Sequence, residues 1–240
     1  MGKRIAIVGA IKDEIADIKN QMRIDDTLRW HTGNAFVGEW QGASIVLVRS
    51  GMGSERARRA LVEVAERFSL EHVYSIGYAG ALDPALQVGD LVIADQVVHC
   101  ETLKSYSLNE KLTSTLAEAR RGTLLTVDEV VATPPAKKAL REKFSAVAVD
   151  METSALAEEA QARHLPFASV RAITDKASQE LIDCSHLVAE DGDVSKLKAG
   201  WHILTHPGDL KGMIDLGKHA KVATANLTEF LKKLMVSRRK

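Results

Sequence analysis

The sequence predicts an α/β fold: a three-layer sandwich, helices flanking a mixed central β-sheet, in a single domain over residues 1–240. Three observations predict it. Short β-rich apolar runs alternate with longer helical stretches, the pattern of a parallel or mixed sheet covered on both faces. Glycines and carboxylates stand where the apolar runs end, which is where open α/β sheets take their ligands. The 240 residues carry no repeat, low-complexity tract or linker composition. One core of this size needs no covalent staple.

The elements follow in order. Ile5–Gly9 is a continuous apolar strand, and Ile11, Ile15 and Ile18 then share one face of a charged helix. Ala35–Trp40 and Ser44–Arg49 flank Gln41-Gly42, a turn signal, and form an antiparallel hairpin. Ser50-Gly51-Met52-Gly53 opens a helix over Ser54–Phe68. His72–Gly77 and Asp90–Val98 are strands, Leu112–Arg120 a helix and Gly122–Val127 a strand. Pro134–Phe144 is a helix with proline at its start, where a missing N–H costs nothing. Ala146–Val149 is a strand, Glu152–Arg163 a helix, Pro166–Ile173 a strand and Lys211–Val236 a long last helix. The least patterned stretch, 178–210, reads as a lid or insertion.

Composition excludes several classes. Lys+Arg and Asp+Glu are 32 each, so the net charge is zero, which disfavours a nucleic-acid or membrane-surface partner. Cys100 and Cys184 are too few for a disulfide framework, and with eight scattered histidines they show no metal-ligand spacing; no metal and no cofactor are expected. No apolar run reaches a membrane span, and Lys12, Asp13 and Glu14 interrupt the first apolar run too early for a signal peptide. The expectation is a cytoplasmic enzyme acting on a small molecule.

Five strand ends could carry chemistry. Ser50-Gly51-Met52-Gly53 before a helix resembles an anion cradle, or else is a tight turn with Ser54 as N-cap. No Walker or dinucleotide fingerprint is present. Gly77-Tyr78-Ala79-Gly80 sets small residues about a tyrosine, as close approach of a ligand requires, or is a simple turn. Asp175 is a candidate acid, or pairs with Arg171 or Lys176. Glu152 and Glu14 are candidate ligands, or merely suit the positive ends of helices.

Taken together, Ile7–Glu14, Ser50–Gly53, Gly77–Leu82, Val88–Val92, Ala148–Glu152 and Val170–Asp175 resemble the nucleoside phosphorylase/nucleosidase superfamily. Within it they are most similar to the methylthioadenosine/S-adenosylhomocysteine nucleosidase branch, six ordered motifs over roughly 170 residues. The resemblance implies a phosphorylase/hydrolase-like fold and cleavage of the N-glycosidic bond of a 5′-substituted adenine nucleoside. It implies that Asp175 protonates purine N7 and that Glu152 accepts from the ribose hydroxyls. Met151 packs on the sugar, Asp150 is a further substrate-binding residue beside it, Val130 and Val131 flank the base, and Thr174 orients Asp175 or the base. The Tyr78–Gly80 and Ser50–Met52 segments complete the pocket. Phosphorylases of the superfamily hold phosphate with arginines at positions filled here by Glu14 and Ser75, so Glu14 implies water as nucleophile. Arg49, Arg56 and Lys12 are the cations near enough in sequence to serve phosphate instead. Tyr78 departs from the family's usual serine. The last third is more similar to proteins of hopanoid biosynthesis that release adenine from adenosylhopane, with Trp201, Ile203, Leu204, Leu210 and Met213 as a possible apolar wall. A phosphorylase and a non-catalytic nucleoside binder are the alternatives, and a homo-oligomer, a dimer, is expected.

Overall fold

Alternating apolar residues on the central strands feed two cores. The computed structural model describes residues 2–31, 33–112, 119–181 and 210–237. Ile5 and Ile7 on β1 (Arg4–Gly9) and Ile45 and Leu47 on β4 (Ala43–Arg49) face one way. They pack on Ile15 and Ile18 of α1 (Lys12–Gln21) and on Leu227, Phe230 and Leu231 of α5 (Leu210–Ser237). Ala6, Val8, Val46 and Val48 face the other way. Against them lie Ala57, Leu61 and Val64 of α2 (Ser54–Arg67) and Leu156 and Ala160 of α4 (Thr153–Ala162). Helices therefore cover both faces, the three-layer arrangement expected, and strands buried on both sides carry near-continuous apolar runs.

The sheet is mixed. Its outer part runs β2 (Arg23–Trp30), β3 (Gly33–Trp40), β4, β1 and β5 (Leu70–Ala81). From β5 the pairing closes on itself. β5 bonds β10 (Phe167–Asp175) in parallel, β10 bonds β6 (Leu91–His99) antiparallel, and β6 bonds β8 (Arg120–Thr126) in parallel. β8 bonds β9 (Ala148–Asp150) in parallel, and β9 returns to Gly80 and Ala81 of β5. This closed ring brings Gly80, Asp150 and Asp175 to one mouth.

Four differences from the sequence-based expectations have physical reasons. β2 is an extra strand, exposed and charged along most of its length. Such an edge carries no apolar alternation, and its charges block further pairing. β7 (Ser105–Ser107) is too short to leave a pattern. Gly77–Gly80 is not a turn after a strand but lies inside β5, because these residues pair with β10. The helix expected over Leu112–Arg120 falls mostly on residues outside the described ones; Glu110–Leu112 forms a single 3-10 turn, and Arg120 already belongs to β8. Residues 182–209 also lie outside, and with them Trp201, Ile203, Leu204 and most of the expected lid; the side chains of Leu210 and Met213 lie outside as well. Among the described residues no helix is long and apolar enough to cross a membrane.

Candidate active site

A cavity of about 260 Å³ opens at the mouth of the closed ring. That is just below the roughly 300–1,000 Å³ typical of small-molecule sites. Its walls are largely apolar, with Ile11, Met52, Val127, Val130, Val131, Met151 and Leu181, and four carboxylates reach it: Glu14, Asp150, Glu152 and Asp175. Tyr78, Ala79, Gly80 and Thr174 complete the side formed by β5 and β10.

Glu14 sits in the first turn of α1 and is buried. One carboxylate oxygen reaches back to the N–H groups of Ala10, at 2.6 Å, and Ile11, at 3.0 Å. That much is helix capping. The other oxygen crosses to the Tyr78 N–H at 2.9 Å, which capping does not require. Gly77 makes the crossing possible, since a Cβ there would stand 2.5 Å from that oxygen. Burial, opposed by these hydrogen bonds and by Arg171, pushes the Glu14 carboxyl above its usual range.

Glu152 is the N-cap residue of α4, and its Oε1 accepts the Gly53 N–H at 2.8 Å. Burial first, then the negative charges of Asp150 and Glu14, push it up to about 8. Protonation of this group is therefore easier in the folded protein than in the unfolded chain. Stability linked to this group is fully present below about 4.5 and is lost as pH rises through about 8. Glu152→Gln, which keeps the acceptor for Gly53, is expected to raise the melting temperature of the empty protein by on the order of 10 °C at pH 9. The gain should nearly vanish at pH 4.5. Equal gains at both pH values in paired thermal melts would contradict this.

Asp175 ends β10 and is also buried. Thr174 Oγ1 donates to its Oδ1 at 3.0 Å. Gly80 leaves room for it, since a Cβ there would lie 2.9 Å from Oδ2. Neither Arg171 nor the Lys176 side chain is its partner. Lys137 Nζ lies 2.5 Å from Oδ2, a lysine that the sequence reasoning missed. Helical spacing holds the signal: in α3 (Pro134–Phe144), Lys137 stands three and seven residues before Leu140 and Phe144, on the helix's apolar side.

Four other sequence-derived candidates change meaning. Asp150 reaches the cavity, yet its carboxylate accepts from Thr126, from Thr153 and, through Oδ2 at 2.8 Å, from Arg171. Arg171 in turn donates to Ser75 at 2.8 Å. These buried groups form a satisfied network, so Asp150 anchors α4 and β10 instead of offering a free oxygen. Ser50 and Gly51 do not line the cavity. Their N–H groups bond the carbonyls of Gly9 and Ala10, both at 2.9 Å, and with Gly53 held by Glu152 little of an anion cradle is left. Tyr78 turns its phenol to α5, where its oxygen lies 2.5 Å from Thr224 Oγ1; burial raises its pKa above that of a free tyrosine.

The cations proposed for phosphate do not converge here. Arg49 and Arg56 are not among the lining residues, and Arg56 borders a separate depression with Arg59 and Asp128. Arg171 is close enough to lower the pKa of both glutamates, but it is engaged by Asp150 and Ser75.

The model of the phosphorylase superfamily matches residues 4–199. The 5′-methylthioadenosine/S-adenosylhomocysteine nucleosidase of Marinomonas sp. is 32% identical, over 73% of this chain and 87% of that relative. The enzyme of the same name from Bacillus subtilis is 28% identical, over 74% and 87%. The crystal structure of the Neisseria meningitidis nucleosidase in complex with methylthio-immucillin-A shares the fold, with a TM-score of 0.77 at 23% identity, covering 98% of this chain and 100% of that one.

Proposed function

The chain belongs to the phosphorylase superfamily, and we propose that it is a nucleosidase that hydrolyses the N-glycosidic bond of a 5′-substituted adenine nucleoside. The observation that carries this reading is the convergence of Glu14, Glu152 and Asp175 on one largely apolar cavity. The chemistry needs three things, and one carboxyl stands ready for each. A departing purine is a poor anion, and a proton at N7 lets it leave neutral; Asp175 is the acid. The ribose becomes oxocarbenium-like as the bond breaks; Glu152, held by Gly53 at the head of α4, accepts from the ribose hydroxyls and gains from the positive charge. Water must be aimed and deprotonated; Glu14 is the base.

Val127, Val130, Val131 and Met151 supply apolar surface for base and sugar. Both curated relatives quoted above are named as methylthioadenosine/S-adenosylhomocysteine nucleosidases, which supports a 5′-thio-substituted adenosine as substrate. The proposed working form is a cytoplasmic homodimer, a reading supported by the balanced charge and the family resemblance.

The test is incubation with methylthioadenosine, adenosylhomocysteine, adenosine and inosine, with and without phosphate. Free adenine should appear from the 5′-substituted adenosines in phosphate-free buffer, together with a free ribose product. Binding without turnover of any of the four would overturn the reading in favour of a nucleoside-binding protein.

A further inference from the structure

Lysine is almost never fully buried without a partner, and a buried ion pair is weak evidence for stability, because an apolar pair of the same volume is often as good. Lys137 is wholly buried and sits behind Asp175. Its three ammonium protons each meet an oxygen: Asp175 Oδ2 at 2.5 Å, the Lys176 carbonyl at 2.9 Å and the Gln179 carbonyl at 3.1 Å. Lysine has three such protons, so its capacity is filled. Asp175 Oδ1 is held by Thr174, and the carboxylate faces the cavity. Lys137 itself does not line the cavity.

Of the two residue types, lysine is much the stronger base in water. We propose that Lys137 is a positioning residue that aims Asp175 at the leaving base and stores the proton that the base takes away. The inference rests on the nucleosidase reading above. As the C1′–N9 bond breaks, its electron pair goes to the purine. Purine N7 takes a proton from Asp175, Asp175 takes one from the Lys137 ammonium, and Lys137 is left as a neutral amine still able to donate to a carbonyl. Glu14 collects the proton released by water, and both groups re-equilibrate with solvent after the products leave. Among the described residues, the other titratable groups around the cavity are Glu14, Tyr78, Asp150 and Glu152; His219 of α5 lies against the Thr174 carbonyl, its Nδ1 at 3.0 Å.

The arrangement separates proton supply from bulk pH. A lone aspartic acid titrates near 4 and holds little proton at pH 8, whereas lysine keeps its proton there. The experiment compares kcat/KM on methylthioadenosine and on 4-nitrophenyl β-D-ribofuranoside between pH 5 and pH 9. The second leaving group departs as a stable phenolate and needs no acid. Lys137→Met and Lys137→Gln should lose roughly 10–100-fold on the nucleoside at pH 8, less at pH 5, and far less on the nitrophenyl riboside at either pH. Equal losses on both substrates at all pH values, or no loss, would overturn the proposal, the first leaving Lys137 a structural support only. If neither variant folds, the wild-type protein decides. Its nucleoside-to-riboside rate ratio should hold between pH 6 and pH 8, and a ratio falling about tenfold per pH unit would show that Asp175 is protonated from solvent alone. A wild-type protein that cleaves no nucleoside sinks the nucleosidase reading itself, a distinct result.

Discussion

Asp175→Asn is expected to lower kcat on a 5′-substituted adenosine by roughly 10²–10⁴-fold, the usual worth of a positioned general acid. An amide keeps the shape of the carboxyl and can still accept from Lys137, but it has no proton to give to N7. The substitution also has a structural consequence. It sets a buried ammonium against a neutral group, and breaking a buried ion pair costs about 3–5 kcal/mol in severe cases. With the amide oxygen and the two backbone carbonyls still accepting, the loss should fall at or below the low end of that range. The melting temperature should therefore drop, and the two effects must be separated. Adding Lys137→Met removes the orphaned charge, so the double variant should recover melting temperature and not kcat. Recovery of turnover by the double variant, or near wild-type kcat in Asp175→Asn alone, would remove Asp175 from the chemistry.

The layered sheet was readable because apolar runs and helical faces obey periods that survive without tertiary information. Ile5–Gly9 and Phe167–Ile173 are buried on both sides and announce themselves as strands; Arg23–Trp30 lies at the edge in solvent and does not. Ring closure was invisible for another reason. It depends on β5 continuing through Gly77–Gly80 to pair with β10 and β9, and two glycines in four residues read as a turn. Here the glycines serve neighbours instead: Gly77 clears space for Glu14, and Gly80 for Asp175. The motifs at the strand ends placed Glu14, Glu152 and Asp175 on one cavity. Their supports were not legible, because Lys137 reaches Asp175 across 38 positions and Arg171 reaches Ser75 across 96. Helical spacing sets Lys137, and not Lys138, on the apolar side of α3, but only packing shows that it meets Asp175 while Lys138 faces solvent and pairs with Glu142.

Glu14 should prove to be the base that activates water, and its removal should abolish hydrolysis while sparing nucleoside binding. A carboxylate facing the anomeric carbon stabilises a developing cation and accepts a proton from water; facing phosphate it would repel a dianion, and more strongly in a buried site than in bulk water. Among the described residues, Arg171 is the cation felt by Glu14, and Asp150 already neutralises it. Glu14→Ala would strand three N–H groups, the buried one of Ala10 at roughly 1–3 kcal/mol and the part-buried ones of Ile11 and Tyr78 at less, and confuse chemistry with folding. Glu14→Gln is the cleaner variant, since an amide oxygen can keep the Ala10 and Ile11 bonds. It should slow adenine release by roughly 10²–10⁴-fold and change the Kd of an unreactive adenine nucleoside only a few-fold. The pH profile adds an independent check. A base must be ionised to work, and burial raises the Glu14 pKa, so wild-type kcat/KM should fall as pH drops through a value above the ordinary carboxylate range. The residual activity of Glu14→Gln should lack that limb and keep only the separate one set by Glu152, which burial pushes up to about 8. Added phosphate should leave the wild-type rate unchanged and yield no sugar 1-phosphate. Phosphate-dependent release would show instead that an arginine, Arg49 or Arg56 by the sequence, swings into the cavity and outweighs Glu14.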